Sequence, residues 1–130
     1  FVHSCSACRR YTARPFPSAE GSLAAFRASP TPPFQTCGCD FLGPLYTKGG
    51  AKVWVLLFTC ASTRAVHLEL VPDGTTPTVH RAFRRYLSRR VPLFTPVQVW
   101  SDNGAVFHRL SSMRFPQHEL RWKFTPARSP

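Results

Sequence analysis

The stretch from Lys52 to Cys60 constrains the fold of this chain more than any other feature. It reads Lys-Val-Trp-Val-Leu-Leu-Phe-Thr-Cys, and its apolar, β-branched and aromatic residues predict a central strand of a sheet. Gly49-Gly50 precedes it, and Ser62-Thr63-Arg64 turns the chain after it. A sheet with this strand in its interior is therefore the starting point for the fold.

Two further strands are predicted beside it. The run from Phe34 onward is apolar, contains Asp40 and ends at Gly43-Pro44, and Ala65 to Val71 alternates well enough for a third strand. Short turns between the three predict an antiparallel meander. On the third strand His67 and Glu69 share one face; we expect them to be solvated on the outer face rather than to form a metal pair.

A helix is predicted after the meander. Thr76 is a suitable N-cap, Pro77 fits the first turn, and the helical spacing continues to about Arg90. One face is apolar and predicts a core contact: Val79, Ala82, Phe83, Tyr86 and Leu87. The remainder carries Arg81, Arg84, Arg85 and Arg89, which either contact DNA phosphates or keep the surface solvated.

A second carboxylate follows the next predicted strand. Val97 to Trp100 alternates, Asp102 comes after it, and Asn103-Gly104 predicts a turn. Because a helix intervenes, this strand can join the sheet in parallel beside the Asp40 strand. A short helix from Ala105 to Met113 and a fifth strand from Leu120 to Phe124 complete the pattern.

The two acids suggest a metal site. Ligands gather at the carboxyl ends of strands in open α/β sheets, and a carboxylate within a strand is expected to be paired or to coordinate a cation. Two alternatives remain open from the residues alone. Asp102 can serve only to cap the following helix, and Asp40 can pair with an arginine.

Composition points to a polyanionic partner. The 130 residues allow one domain, and 14 of the 17 basic residues are Arg, giving a net charge of +11. Arg pairs bidentately with phosphate oxygens, so nucleic acid is the leading candidate. No stretch approaches the ~20 apolar residues of a membrane-spanning helix, and we expect no membrane partner.

The cysteines predict thiols rather than a disulfide framework. There are five, an odd number, and Cys37, Cys39 and Cys60 lie in strand-like runs where small buried residues are expected. Cys5 and Cys8 have the spacing of half a zinc site, but a closed site needs four ligands. His3 is a less convincing third ligand, and a free or redox-active pair remains the alternative.

Four blocks of the sequence carry a resemblance to a known family. They are Cys39-Asp40-Phe41-Leu42-Gly43-Pro44-Leu45, the run from Leu57 to Leu70 with Thr-Arg-Ala-Val-His-Leu-Glu-Leu, Phe83-Arg84-Arg85, and Ser101-Asp102-Asn103-Gly104. In order and spacing they resemble the integrase core of Bel/Pao-type LTR retrotransposon polyproteins. The resemblance implies a ribonuclease H-like α/β fold, with a mixed five-stranded sheet and flanking helices.

The resemblance also implies a division of the chain. Residues 1–8 correspond to the end of a zinc-binding module of the His-His-Cys-Cys type, so Cys5 and Cys8 would be its last two ligands. Residues 9–33, which are rich in Pro and Arg, correspond to a linker with at most a helical turn around Leu23 to Arg27. Residues 34–130 correspond to the catalytic core.

The family's active site is an Asp-Asp-Glu triad that holds two divalent metals, Mg²⁺ or Mn²⁺. Asp40 and Asp102 match its first two positions, and the Glu is expected several residues beyond Pro130. Glu119 is too close to Asp102 to match. Asn103 and Gly104 match the turn that approaches DNA, whereas Ala105 replaces a hydroxyl residue that the family often has there.

The function implied is DNA integration. Water cuts the element's DNA ends, and the freed 3′-hydroxyl attacks target DNA by two-metal phosphodiester chemistry. Element and target DNA, a homo-oligomer and the nucleus are the implied partners and location. The alternatives are a degenerate or co-opted relic that only binds nucleic acid, and a ribonuclease H-like nuclease that cuts without joining.

Overall fold

The computed structural model describes residues 4–13, 21–22 and 31–126. Its elements follow the predicted order, with bounds α1 Ser6–Thr12, β1 Thr36–Tyr46, β2 Lys52–Cys60, β3 Val66–Val71, α2 Thr76–Arg90, β4 Val97–Ser101, α3 Ala105–Ser111 and β5 Leu120–Phe124. Residues 14–20 and 23–30 lie outside the described residues, so the linker and its helical turn stay predictions.

The five strands form one sheet in the order β3-β2-β1-β4-β5. The pairs β1–β2 and β2–β3 are antiparallel, and the pairs β1–β4 and β4–β5 are parallel. A meander of three strands followed by parallel strands is confirmed. The helix α2 supplies the connection that a parallel crossover needs and so places β4 beside β1.

The core lies on the face of the sheet that α2 and α3 cover. The Phe58 ring stacks on Tyr86 of α2 with centroids 3.7 Å apart and 5° between planes. Phe41 packs on Phe107 of α3 at 5.1 Å. The predicted apolar face of α2 is confirmed, because all five of its members are buried.

Strand β3 has the opposite orientation to the one predicted for its polar residues. Val66, Leu68 and Leu70 are exposed, whereas His67 and Glu69 are buried and face α2. The expectation that His67 and Glu69 are solvated was therefore wrong. The reason is that α2 carries arginines toward this face, and they bind Glu69 directly.

Strand β1 continues past the predicted stop at Gly43-Pro44. It runs to Tyr46, with a register shift between Leu42 and Leu45 that absorbs the glycine and the proline. Gly43 has φ of +134°, a conformation that side-chain-bearing residues rarely adopt. The motif is therefore a bulge inside the strand and not its end.

No helix in the described ranges is long and apolar enough to cross a membrane.

Candidate functional site

Asp40 lies in β1, and Asp102 immediately follows the neighbouring strand β4. The parallel register pairs Gly38 of β1 with Trp100 of β4. Each aspartate is two residues beyond its paired residue, so both are level in the register and share one side of the sheet. The prediction that the crossover brings these two acids together agrees with this register.

The charges of Asp40 and Asp102 both affect the pKa of the Cys39 thiol. Burial raises the pKa of the Cys39 thiol well above its usual range, and the charges of Cys37, Asp40 and Asp102 raise it further. Both aspartates therefore act electrostatically on the same buried thiol of β1. A site of this charge favours a cation.

Each carboxylate has one oxygen engaged by the backbone. Oδ1 of Asp40 accepts a hydrogen bond from the Phe41 amide at 2.7 Å, and Oδ1 of Asp102 accepts one from the Gly104 amide at 3.0 Å. The Asp40 side chain is exposed. Its strand leaves the side chain on the uncovered face.

The contacts of Asp40 and Asp102 match neither pairing with an arginine nor capping of α3. Within the described residues neither aspartate forms an ion pair with an arginine. The N-cap of α3 is Gly104, and it has no side-chain cap; Asp102 instead closes the turn before the helix. Both carboxylates keep a second oxygen, Oδ2, that is not bonded to any described residue.

A network behind Asp102 holds its loop to β5. Trp122 Nε1 donates to Ser101 Oγ at 2.9 Å, and Ser101 Oγ donates in turn to the Asp102 carbonyl at 2.9 Å. Asn103 Nδ2 donates to the Thr125 carbonyl at 2.7 Å. Sequence reasoning missed Ser101, Trp122 and Thr125, since only the parallel pairing of β4 with β5 brings them together.

Asn103 and Gly104, the residues matched to the turn that approaches DNA, lie within or beside this network. Asn103 is exposed, but its amide nitrogen is occupied by the Thr125 carbonyl. Gly104 is packed closely, because a Cβ there would lie 3.0 Å from Asp102 Oδ1. The contact of Asn103 and Gly104 with DNA stays a prediction.

The arginines predicted to contact DNA lie on α2 and differ in their partners. Arg85 donates to Glu69 Oε2 at 2.7 Å and to the Leu70 carbonyl at 3.1 Å. Arg81 donates to Thr78 Oγ1 at 3.3 Å, and Arg84 is exposed. Arg85 therefore stabilises the packing of α2 on β3, whereas Arg84 is the most available for a ligand.

The predicted zinc ligands lie at the start of α1. Cys5 is the N-cap residue and Cys8 lies within the helix. Hydrogen bonds from the Cys8 and Ala7 amides and from the Cys8 thiol lower the pKa of Cys5. Two adjacent thiols with such a bias suit a metal, but zinc binding by Cys5 and Cys8 stays a prediction.

Larger clusters of metal-binding side chains are absent from the described part of the chain. No group of three or more His, Cys, Asp or Glu residues converges there. Glu119 is exposed, pairs with Arg121 at 2.9 Å and precedes β5 at the far edge of the sheet. Its exclusion from the acidic pair agrees with this position.

Comparisons with known proteins bear on the fold. No family model and no curated protein matches the sequence. Among solved structures, a similar chain belongs to the cryoEM structure of the simian T-cell lymphotropic virus intasome in complex with PP2A regulatory subunit B56 gamma, with a TM-score of 0.55, 15% identity, and coverage of 98% of this chain and 41% of that chain.

The chain has a ribonuclease H-like fold, with a mixed five-stranded sheet of strand order β3-β2-β1-β4-β5. This confirms the fold class that the sequence resemblance implied. The chain spans about two-fifths of the length of the intasome chain it matches. At this level of identity the similarity concerns the fold, so the Bel/Pao assignment, which rests on the sequence motifs, stays a prediction.

Proposed function

We propose that this chain is part of the catalytic core of a retrotransposon integrase, a DNA-cleaving and DNA-joining polynucleotidyl transferase. The observation that carries the proposal is that Asp40 in β1 and Asp102 just after β4 each lie two residues beyond the paired residues Gly38 and Trp100 of an integrase-like sheet. Neither carboxylate is neutralised by an arginine in the described residues. The net charge of +11 suits a nucleic-acid substrate.

The donor set fits a hard divalent cation. Both side chains offer carboxylate oxygens, which Mg²⁺ and Mn²⁺ prefer, and both have an oxygen that the described residues leave unbonded. We infer that Asp40 and Asp102 hold the metal, together with a third acid expected beyond Pro130. Bound divalent ions would activate the attacking oxygen and stabilise the leaving oxygen of the phosphodiester.

The remaining residues of the site orient the acids. The Phe41 and Gly104 amides each hold one carboxylate oxygen and so limit rotation of the side chain. Ser101 and Trp122 fix the backbone at Asp102, and Asn103 ties the same loop to the end of β5. Such support matters because catalytic groups must be held within a few tenths of an ångström of their working geometry.

The proposal extends to partners and location. DNA, further copies of the same protein and the nucleus follow from integrase activity, and the matched intasome is itself an assembly. Zinc at Cys5 and Cys8 belongs to the same proposal. Cleavage without joining, the nuclease alternative, would use the same metal pair, whereas nucleic-acid binding without catalysis would depend on neither aspartate.

Paramagnetic Mn²⁺ tests the metal site directly on this chain. We expect Mn²⁺ to broaden the amide NMR signals of Phe41, Asn103 and Gly104 first, because these residues adjoin the two carboxylates. Asp40→Asn and Asp102→Asn should each abolish the selective broadening. Asp73→Asn is the matched control, since Asp73 is exposed and its hydrogen bonds, to Thr75 and Thr78, lie at the start of α2 and away from the two carboxylates.

Strand transfer tests the reaction in a longer polypeptide that includes the expected third acid. Asp102→Asn should lower the rate by more than about 100-fold, because loss of even an outer-shell partner of a metal ligand costs about 10–100-fold. Normal transfer by Asp102→Asn, or uniform Mn²⁺ broadening that ignores both aspartates, would show that the metal role is wrong.

A further inference from the structure

A groove separate from the two aspartates runs between α2 and the loop before β5. Its volume is about 530 Å³, and it is lined by Arg81, Arg84, Arg85, Leu87, Ser88 and residues 115–118. Phe115 is buried and forms an apolar part of the wall, while the arginines supply the polar part. The groove therefore combines cationic groups with an adjacent region of low dielectric, where charge interactions are stronger than in water.

The groove carries uncompensated positive charge. It is lined by three arginines and by no acidic residue. Arg81 lies three residues from Arg84 and four from Arg85, spacings at which like charges on a helix repel each other. Glu69 compensates Arg85 from the β3 side, and Asp73 interacts electrostatically with Arg81, but no acid forms an ion pair with Arg84 in the described residues.

Gln117 and His118, two uncharged residues that line the groove, do not repel an anion. Burial lowers the pKa of His118, so its ring is neutral at physiological pH. Burial lowers the pKa of His80 on the same helix, and the positive charge of Arg84 lowers it further. Gln117 adds an amide that can donate a hydrogen bond.

The groove lies toward the start of β4, whereas Asp102 follows the end of that strand. Its loop leads into Leu120, which pairs with Val97, the first residue of β4. Asp102 follows Ser101, the last residue of that strand. Five residues of strand separate the two levels by about 16 Å, at about 3.3 Å per residue.

We propose that this groove is a phosphate-binding site, in which the guanidinium groups of Arg81 and Arg84 are the main ligands and Arg85 sets the charge behind them. Arginine suits this role because its planar fork donates two parallel hydrogen bonds to phosphate oxygens. The phosphates come either from a nucleic-acid backbone or from a small polyphosphate. The site acts without a divalent metal and does not depend on Asp40 or Asp102.

Tripolyphosphate and a short DNA duplex, titrated separately in EDTA and followed by amide NMR, test the site. Tripolyphosphate should shift the signals of the α2 arginines and of residues 115–118. Arg84→Gln should weaken its binding about tenfold, the loss expected for one charged hydrogen-bond pair. Arg109→Gln, which removes the same charge from exposed α3 outside the groove, should change the affinity less than twofold.

The outcomes separate the two sources of phosphate. If Arg84→Gln weakens the binding of both ligands and DNA competes with tripolyphosphate, the groove binds a nucleic-acid backbone. If Arg84→Gln weakens only the binding of tripolyphosphate, the groove binds a small polyphosphate. Equal losses in Arg84→Gln and Arg109→Gln, no binding, or equally effective displacement by polyglutamate would overturn the proposal.

The double variant Asp40→Asn/Asp102→Asn should leave tripolyphosphate affinity within twofold of the parent. The proposal for the groove and the proposal for the metal site can therefore be overturned independently of each other.

Discussion

At the scale of single residues, the two aspartates differ from every other acid among the described residues. Glu69 and Glu119 are paired with arginines, and Asp73 is bonded within its own turn. Asp40 and Asp102 have only backbone partners and meet across two strands. Carboxylates left without cationic partners at the same level of a sheet repel each other, so their position favours a bound cation.

Two glycines of β1 give a residue-scale prediction with an internal control. A Cβ on Gly43 would lie 3.1 Å from Trp54 Cδ1 and 3.2 Å from the Val53 carbonyl, at φ of +134°. Gly43→Ala should therefore lower the free energy of unfolding by about 1–3 kcal/mol. A Cβ on Gly38 would meet only the Thr59 carbonyl at 4.0 Å, so Gly38→Ala should change it by less than about 0.5 kcal/mol.

Urea denaturation of both variants measures this difference. Equal stability of Gly43→Ala and Gly38→Ala would mean that the bulge at Gly43-Pro44 can relax around a side chain.

At the scale of elements, an ionic cluster joins β3 to α2. The Glu69 side chain is 3% exposed; it accepts hydrogen bonds from Arg85 and Arg89, both at 2.7 Å, and lies 2.9 Å from His67 Nε2. Arg90 Nε donates to His67 Nδ1 at 3.0 Å. The cluster connects successive turns of α2 to an edge strand, whose apolar residues are consequently left facing outward.

The cluster predicts a pH dependence of stability. Burial raises the pKa of Glu69, but hydrogen bonds from Arg85 and His67 and the charges of Arg85 and Arg89 outweigh it and lower the pKa below 4.5. A carboxyl with a lowered pKa in the folded state contributes stability that is present above the unfolded pKa and is lost as pH falls through the folded pKa. The stabilisation by Glu69 should thus be complete at pH 6–7 and decline below about pH 4.5.

Glu69→Gln tests this contribution. It should lower the free energy of unfolding at pH 7 by about 1–3 kcal/mol, and the difference from the parent should shrink as pH falls toward 3. Glu119→Gln is the control, because Glu119 is 65% exposed and its pair with Arg121 is worth at most about 1 kcal/mol. A pH-independent difference for Glu69→Gln would contradict the assignment.

At the scale of the whole molecule, the charge of +11 dominates interactions at a distance. Exposed arginines occur on α2, on α3 and on β5, so the positive field is not confined to the groove. We expect DNA affinity to fall at least about 100-fold between 50 and 200 mM salt, as for the neutralisation of about four phosphates. Fluorescence anisotropy with a labelled duplex measures this slope.

The same measurement separates electrostatic binding from binding through the metal site. In EDTA, Asp102→Asn should bind DNA no more weakly than the parent and with the same salt dependence, because the aspartate contributes no positive charge to phosphate neutralisation. Arg81→Gln/Arg84→Gln should flatten the slope. Affinity that requires Mg²⁺, or a slope near zero, would show that the basic surface is not the main contact.

Much of the fold could be read from local patterns. The bounds of β2 and β5 agree with those predicted, since apolar β-rich runs between turns are local signals. The apolar face of α2 follows from helical periodicity in the same way. The parallel pairing of β1 with β4 could also be anticipated, because a helix between two strands allows a parallel crossover.

Long-range contacts determined the rest. An alternating strand has two faces, and periodicity does not say which of them is buried. In β3 the polar face is buried, because arginines 16 and 20 residues beyond Glu69 bind that side chain. The Ser101–Trp122 bond and the groove of Arg81 and Arg84 likewise join segments whose proximity is set by strand pairing and helix packing. Such proximity depends on the folded backbone as a whole, and so no local pattern encodes it.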